Sequence, residues 1–236
     1  MRAMILAAGR GERMRPLTDA CPKPLLVAGG RPLIEYHLEN LAAAGIDEVV
    51  INLAWKGAMI RQALGDGARF GVRIQYSDEC DEALETGGGI HKALEMLGPD
   101  PFLVLSGDIW TDYPLVRCLA QPASEDLGHW VVVANPAFHA RGDFCLREGR
   151  LHDGDGPRYT YANIGVFRPA FFAGCAGGRF ALAPLMFEWL RRGRISGELY
   201  RGAWCNVGTP GQLAQLDAQL ARAARRRDAD LGTDRR

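Results

Sequence analysis

The sequence predicts an α/β fold, a mainly parallel sheet covered on both faces by helices and followed by a small antiparallel extension. Three observations point to it. Through the first half, short apolar runs alternate with stretches whose apolar residues fall at helical spacing, the pattern of parallel strands joined by crossover helices. After about residue 125 the runs follow one another with only turns between them, as antiparallel strands do. Finally, 236 residues with 47% apolar and 24% charged content suit one α/β unit whose core is large enough to need no staples.

Taken in order, Ala3–Ala8 is an apolar run ending in Gly9 and predicts a buried strand. Leu33–Ala44 carries Ile34, Leu38, Leu41 and Ala42 on one helical face, opened by Pro32 and closed by Gly45. Glu48–Leu53 predicts a strand, Lys56–Leu64 a helix ended by Gly65, and Val72–Tyr76 a third strand. Ile90, Ala93, Leu94 and Leu97 form a helical stripe stopped by Gly98-Pro99. Phe102–Ser106 is a fourth buried strand that runs straight into Gly107-Asp108. His129–Ala134, Asp143–Leu146, Arg150–His152 and Tyr159–Phe167 predict the antiparallel extension. Leu182, Leu185, Met186, Trp189 and Leu190 make a strong helical stripe before Gly193. Thr209-Pro210 supplies an N-cap and first-turn pair for a last helix, with Leu213, Leu216 and Leu220 inward. No repeat or flexible linker interrupts the chain, so 1–224 reads as one unit, with halves at 1–125 and 126–224 and a frayed polar tail at 225–236.

The 28 basic and 28 acidic residues cancel, which argues against a general nucleic-acid binder. No apolar run approaches membrane-spanning length, and the N-terminal apolar stretch is too short for a secretion signal. A cytoplasmic protein is expected, without membrane or nucleic-acid partners, as a monomer or small homo-oligomer. Cys21, Cys80, Cys118, Cys145, Cys175 and Cys205 are scattered with no C-x-x-C pair, as reduced, mostly buried thiols would be. His37, His91, His129, His139 and His152 show no metal-ligand spacing and are expected in structural or surface roles.

In parallel sheets, ligands bind beyond the carboxyl ends of the strands. Two such ends carry chemistry here. The first strand runs into Gly9-Arg10-Gly11-Glu12-Arg13-Met14-Arg15-Pro16-Leu17-Thr18, followed by Pro22-Lys23-Pro24. Gly9 and Gly11 let backbone N–H groups approach a phosphate; Arg13 can fork onto phosphate oxygens, and Lys23 is a compact charge between two prolines. The loop lacks the third glycine of a dinucleotide fingerprint, and Asn52 stands where an acidic ribose ligand would end the second strand. It also lacks a Walker G-K-[ST]. Asp108 at the end of the fourth strand is placed to hold Mg²⁺ opposite a polyphosphate. Glu85-Thr86-Gly87-Gly88-Gly89 opens a helix with outward N–H groups that could line a base or phosphate.

Together these segments resemble the sugar-1-phosphate nucleotidyltransferases. L-A-A-G-x-G-x-R-M-x-P-L-T with P-K-P-L carries the resemblance, in order with Glu85-Thr86-Gly87, Gly107-Asp108 and Val207-Gly208-Thr209. It runs from Met1 to about Leu220. The E-T-G-G-G-I, G-R-G-D-F-like and W-x-x-V-G-T stretches look closest to the bacterial branch that uridylylates N-acetylmuramic acid α-1-phosphate. The guanylyl-, thymidylyl- and glucose-specific uridylyltransferases are similar in the first half.

The resemblance implies the nucleotide-diphospho-sugar transferase fold, Rossmann-like with a mixed sheet. It implies a nucleotide-binding half over 1–125 and a sugar-binding half over 126–224. It also implies a reaction: a sugar 1-phosphate oxygen attacks the α-phosphorus of a nucleoside triphosphate, and pyrophosphate leaves. By the same resemblance Arg13, Lys23 and Asp108 are catalytic. Leu6, Ala8, Gly9, Gly11, Glu12, Arg13, Lys23, Glu85 and Gly87 hold the nucleotide, and Ser106, Gly142, Asp153 and Asn163 face the sugar. Asp108 and Asn206 hold Mg²⁺. Two positions depart from the family pattern. Asn206 replaces the aspartate that is the second metal ligand, and Ser106 replaces the asparagine before Gly-Asp. Asn206 keeps a second reading open, a nucleotide-sugar sensor that binds without turnover.

Overall fold

The computed structural model describes residues 1–79, 83–123 and 125–233, with side chains described as far as 225. Cys80, one of the thiols expected to be reduced, lies outside the described residues. The other five cysteines are free.

In chain order the elements are β1 (Arg2–Leu6), α1 (Leu17–Ala20), β2 (Val27–Ala28), β3 (Arg31–Pro32), α2 (Leu33–Ala43), β4 (Glu48–Leu53), α3 (Gly57–Leu64), β5 (Arg73–Asp78), α4 (Glu85–Leu97), β6 (Phe102–Ser106), β7 (Ile109–Thr111), β8 (Gly128–Val133), β9 (Phe144–Arg147), β10 (Arg150–His152), β11 (Arg158–Phe167), α5 (Leu182–Arg191), β12 (Ile195–Tyr200), β13 (Trp204–Asn206) and α6 (Pro210–Thr233). The main sheet has the order β5-β4-β1-β6-β11-β8-β12-β10-β9. Strands β5, β4, β1 and β6 are parallel. Strand β11 enters antiparallel beside β6, and β9 pairs back onto the start of β11, so the far end curls into a ring of five strands. The architecture is the α/β fold with a mixed sheet that the sequence predicts; its extension is antiparallel except for β12, which runs parallel to β8.

The strand pleat sorts side chains onto two faces. Ala3 and Ile5 of β1, Val49 and Ile51 of β4, and Leu103 and Leu105 of β6 join one core with α2 and α3. Met4, Val50, Phe102 and Val104 point the other way, into a core with α4 and α5. Burial on both faces explains why these strands read as continuous apolar runs. A third, smaller core of Met14, Leu26, Leu33, Val207 and Leu216 pins the glycine loop against α6.

Several elements escape the sequence pattern. β2, β3, β7 and β13 have two or three residues each, too few for a period to show. β12 interrupts its apolar residues with serine, glycine and glutamate, so the pattern does not predict it. The tail read as frayed from 225 is helical through Thr233. None of the described helices is long and apolar enough to cross a membrane.

Candidate active site

Strands β1 and β6 lie in register with Leu6 opposite Ser106. Beyond that pair the backbones stay together, since Gly107 N–H donates to Leu6 O at 2.9 Å. A Cβ at Gly107 would stand 2.9 Å from that same oxygen, so only glycine allows the approach. On the other side of β1, Ala7 N–H donates to Asn52 Oδ1 at 2.7 Å, and Asn52 Nδ2 donates to buried Glu79 at 2.6 Å. Glu79 Oε2 in turn accepts from Leu84 N–H at 2.8 Å. Asn52 therefore does not await a ribose; it fixes the exit of β1 and ties it to the start of α4.

The glycine loop is folded, not slack. Gly11 has φ +64, and its carbonyl accepts from Met14 N–H at 2.8 Å and Thr18 Oγ1 at 2.9 Å. A Cβ there would lie 2.9 Å from Thr18 Cγ2 and 3.3 Å from Lys23 Cβ, so Gly11 lets the lysine stem pass beneath the loop. At Gly9 a Cβ would meet nothing within 4 Å; the space there belongs to the adjoining cavity. Lys23 is 9% exposed, and its Nζ pairs with Asp108 Oδ2 at 2.5 Å. A buried ammonium needs such a partner.

A cavity of about 590 Å³ opens over these residues. Of the nucleotide candidates, Leu6, Gly9, Gly11, Glu12, Arg13 and Lys23 line it, together with Ser106 and Asp108. Ala8 is buried beside it. Thr86 lines it too, a hydroxyl that the glycine pattern around it drew attention away from. Glu85 and Gly87 are not on its wall. Glu85 has φ +60 and pairs with Arg179 at 3.1 Å.

The three glycines of α4 serve packing. Gly87 and Gly88 lie against the 178–180 segment: a Cβ on Gly87 would strike Phe180 at 2.5 Å, and one on Gly88 would strike Gly178 O at 2.1 Å. A Cβ on Gly89 would strike Glu79 Oε1 at 2.5 Å. All three are buried, and their missing side chains make room for these neighbours.

A second cavity of about 400 Å³ adjoins the first, with Arg13 on the wall of both. Asn163 and Asn206 line it. Asn163 sits at φ +57 within an irregular stretch of β11, where Trp204 Nε1 donates to Ala162 O at 2.9 Å. Gly142 and Asp153, the other sugar candidates, line neither cavity. Gly142 turns the chain at φ +64 against Asn135, and Asp153 pairs with Arg158.

Asn206 reaches the site through the β7–β13 pairing, opposite Ile109. Val207 N–H donates to Asp108 O at 2.8 Å, so positions 108 and 206 are neighbours across that ladder. The Asn206 Oδ1 is buried and has no hydrogen-bond partner, a carbonyl oxygen left for a ligand. With the Asp108 carboxylate it makes an all-oxygen pair. No group of three His, Cys, Asp or Glu side chains that could hold a metal occurs among the described residues. The arrangement fits a hard divalent cation that takes its remaining ligands from phosphates and water.

Comparison with known proteins follows this geometry. The nucleotidyl transferase family model matches residues 2–139. The N-acetylmuramate alpha-1-phosphate uridylyltransferase of Neisseria meningitidis serogroup B is 46% identical over 225 residues, covering 92% of this chain and 97% of that protein. A Caulobacter vibrioides protein of the same name is 35% identical over 235 residues, covering 94% and 97%. The mannose-1-phosphate guanylyltransferase of Mycobacterium tuberculosis is 38% identical over 117 residues, half of this chain and 32% of its own length. Among solved structures, HddC of Yersinia pseudotuberculosis complexed with GMP-PN superposes with a TM-score of 0.75 at 17% identity, covering 92% of this chain and 98% of that one.

Proposed function

The chain belongs to the nucleotidyl transferase family, and from that premise we propose that it transfers UMP from UTP to N-acetylmuramic acid α-1-phosphate, releasing pyrophosphate. The observation that carries the choice of acceptor is the near full-length similarity to the Neisseria uridylyltransferase, which extends through the half of the chain that forms the second cavity. The guanylyltransferase from Mycobacterium matches half of this chain; the one from Emericella nidulans matches 89% of it, but over only 61% of its own length.

The reactants bring together roughly six negative charges at neutral pH, so positioning and charge neutralisation dominate the chemistry. Gly11 and Arg13 would hold the outer phosphates, with Arg13 at the junction between the two cavities. Lys23 would leave Asp108 for the transferring phosphoryl group and hold its developing charge. Leu6, Ala8, Gly9, Glu12, Glu85 and Gly87 would frame the nucleoside. Ser106 and Asn163 would face the sugar; Gly142 and Asp153, expected to join them, line neither cavity. Asp108 and Asn206 would hold Mg²⁺, which when bound neutralises phosphate charge. With Asp108 committed to the metal, Lys23 would be free to turn its ammonium to the phosphates.

The test is pyrophosphate release in a matrix of UTP, GTP, dTTP, CTP and ATP against muramic, glucose and mannose 1-phosphates. Highest kcat/KM for UTP with N-acetylmuramic acid α-1-phosphate is expected. A preference for GTP with mannose 1-phosphate would replace this reading. Triphosphate binding with no release for any acceptor would favour a sensor.

A further inference from the structure

The second cavity is walled by Phe144, Met186, Phe187 and Trp204, which offer an acceptor no charge. The ionisable lining consists of Arg13, His139, Asp143 and the phenol of Tyr161. Arg13 is shared with the phosphate cavity. Asp143 is already committed: its Oδ2 accepts from Tyr161 N–H at 2.8 Å, and its Oδ1 lies 2.9 Å from His139 Nε2. His139 is then the cationisable group on this wall that is not shared with the phosphate cavity, and the Asp143 contact engages only its Nε2.

The segment that carries His139 is held in place from several sides. Asn135 Nδ2 donates to Ala140 O at 3.1 Å and to Arg158 O at 2.9 Å, while its Oδ1 accepts from Thr160 Oγ1 at 2.9 Å. Gly142 ends the segment in the left-handed region, where a Cβ would stand 2.6 Å from Asn135 Oδ1. Asp143 N–H donates to Tyr159 O at 2.8 Å. Beside the fixed imidazole, Phe138 is 57% exposed and lines the same cavity. Two adjacent residues thus present an apolar ring and an imidazole along one edge.

A lactyl ether, O–CH(CH₃)–COO⁻, carries a methyl group and a carboxylate on one carbon. Its recognition needs apolar surface and a donor side by side. We propose that Phe138 and His139 read the lactyl ether of the acceptor sugar: the phenyl ring covers the methyl, and the imidazole, turned by Asp143, donates to the carboxylate. In its protonated form the ring donates from both nitrogens, one to Asp143 and one to the substrate, as a charge-assisted hydrogen bond. A plain hexose 1-phosphate has neither group to offer this edge. The inference rests on the acceptor assigned under the proposed function.

The experiment measures pyrophosphate release from UTP with three acceptors. These are N-acetylmuramic acid α-1-phosphate, its lactyl methyl ester, and N-acetylglucosamine 1-phosphate, which lacks the ether. Wild type, His139→Gln and Phe138→Ala are compared, with His139→Asn in reserve should the glutamine variant fold poorly. In His139→Gln the preference for the muramate over the glucosamine phosphate should fall on the order of 10- to 100-fold, the range for one charged hydrogen bond. Esterification should cost wild type a similar factor and cost the variant almost nothing. Phe138→Ala should lower the preference for the free acid and for its ester alike. Equal proportional losses with all three acceptors, or an unchanged preference, would overturn this inference while leaving the uridylyltransferase assignment standing. Failure of wild type to use the muramate, with turnover of another sugar 1-phosphate, would overturn both.

Discussion

Lys23 is asked to be buried and charged at once, and Asp108 at 2.5 Å reconciles the two. Lys23→Ala should lower turnover by a factor on the order of 10² or more, the cost of one preorganised charge contact, read as kcat for pyrophosphate release. A near-normal kcat would remove it from the mechanism. Asn206 offers an orphaned carbonyl oxygen but no charge. Asn206→Asp should tighten divalent-ion binding, seen by calorimetry and as a lower Mg²⁺ concentration for half-maximal rate; an unchanged metal dependence would take position 206 out of the metal site. The two loop glycines should behave differently. Gly11→Ala meets both a left-handed φ and a 2.9 Å contact with Thr18, so a loss of about 1–3 kcal/mol is expected in denaturant unfolding. Gly9→Ala meets no protein atom; it should melt like the parent yet raise KM for UTP, because the added methyl projects into the cavity.

At the scale of elements, α4 shows how one local signal can answer a packing demand that the sequence does not reveal. Three glycines near a helix start cost conformational entropy, so their presence points to a demand for closeness. Sequence reasoning assigns that closeness to a ligand. The structure adds a packing demand from Phe180, the Gly178 carbonyl and the Glu79–Asn52 pair. Gly88→Ala would put a methyl 2.1 Å from a backbone oxygen that cannot swing away. It should destabilise the protein by about 3 kcal/mol or more, measured by urea unfolding, and a melting temperature equal to wild type would contradict the packing. Thr86, in the same turn, is the cavity-lining residue there. Its hydroxyl had no signal of its own beside the glycine run.

Across the whole molecule, burial of two histidines sets a pH limit on stability. Desolvation pulls His37 and His129 down from the ordinary 6.5 to about 4. Their folded pKa lies below the unfolded one, so above about pH 6.5 both states are neutral and neither ring costs stability. As pH falls from 6.5 toward 4 the unfolded chain takes up protons that the folded one refuses, and stability drops. Each ring contributes up to about 3 kcal/mol to that drop on the order-of-magnitude conversion of its shift. Unfolding free energies at successive pH values should therefore steepen between 6.5 and 4, and His37→Gln should reduce the slope by about one proton. An unchanged slope would mean that His37 titrates in the folded protein as it does in water.

The alternation of apolar runs and helical stripes, the glycine loop after the first strand and the aspartate after the fourth were legible in the sequence, because period and turn chemistry are properties of neighbouring residues. Strands Glu48–Leu53, Phe102–Ser106 and Arg150–His152 have the bounds the pattern predicts. The sequence by itself therefore determined the parallel half of the sheet, its longer helices and the strand ends where ligands gather. Tertiary structure alone decided that Asn206 stands beside Asp108, that α4's glycines receive another segment, that Arg13 joins two cavities and that His139 is aimed by Asp143. Each of these depends on pairings between distant or very short segments, such as the three-residue strands β7 and β13. Such segments carry no period, and their partners are chosen only when the rest of the core has closed.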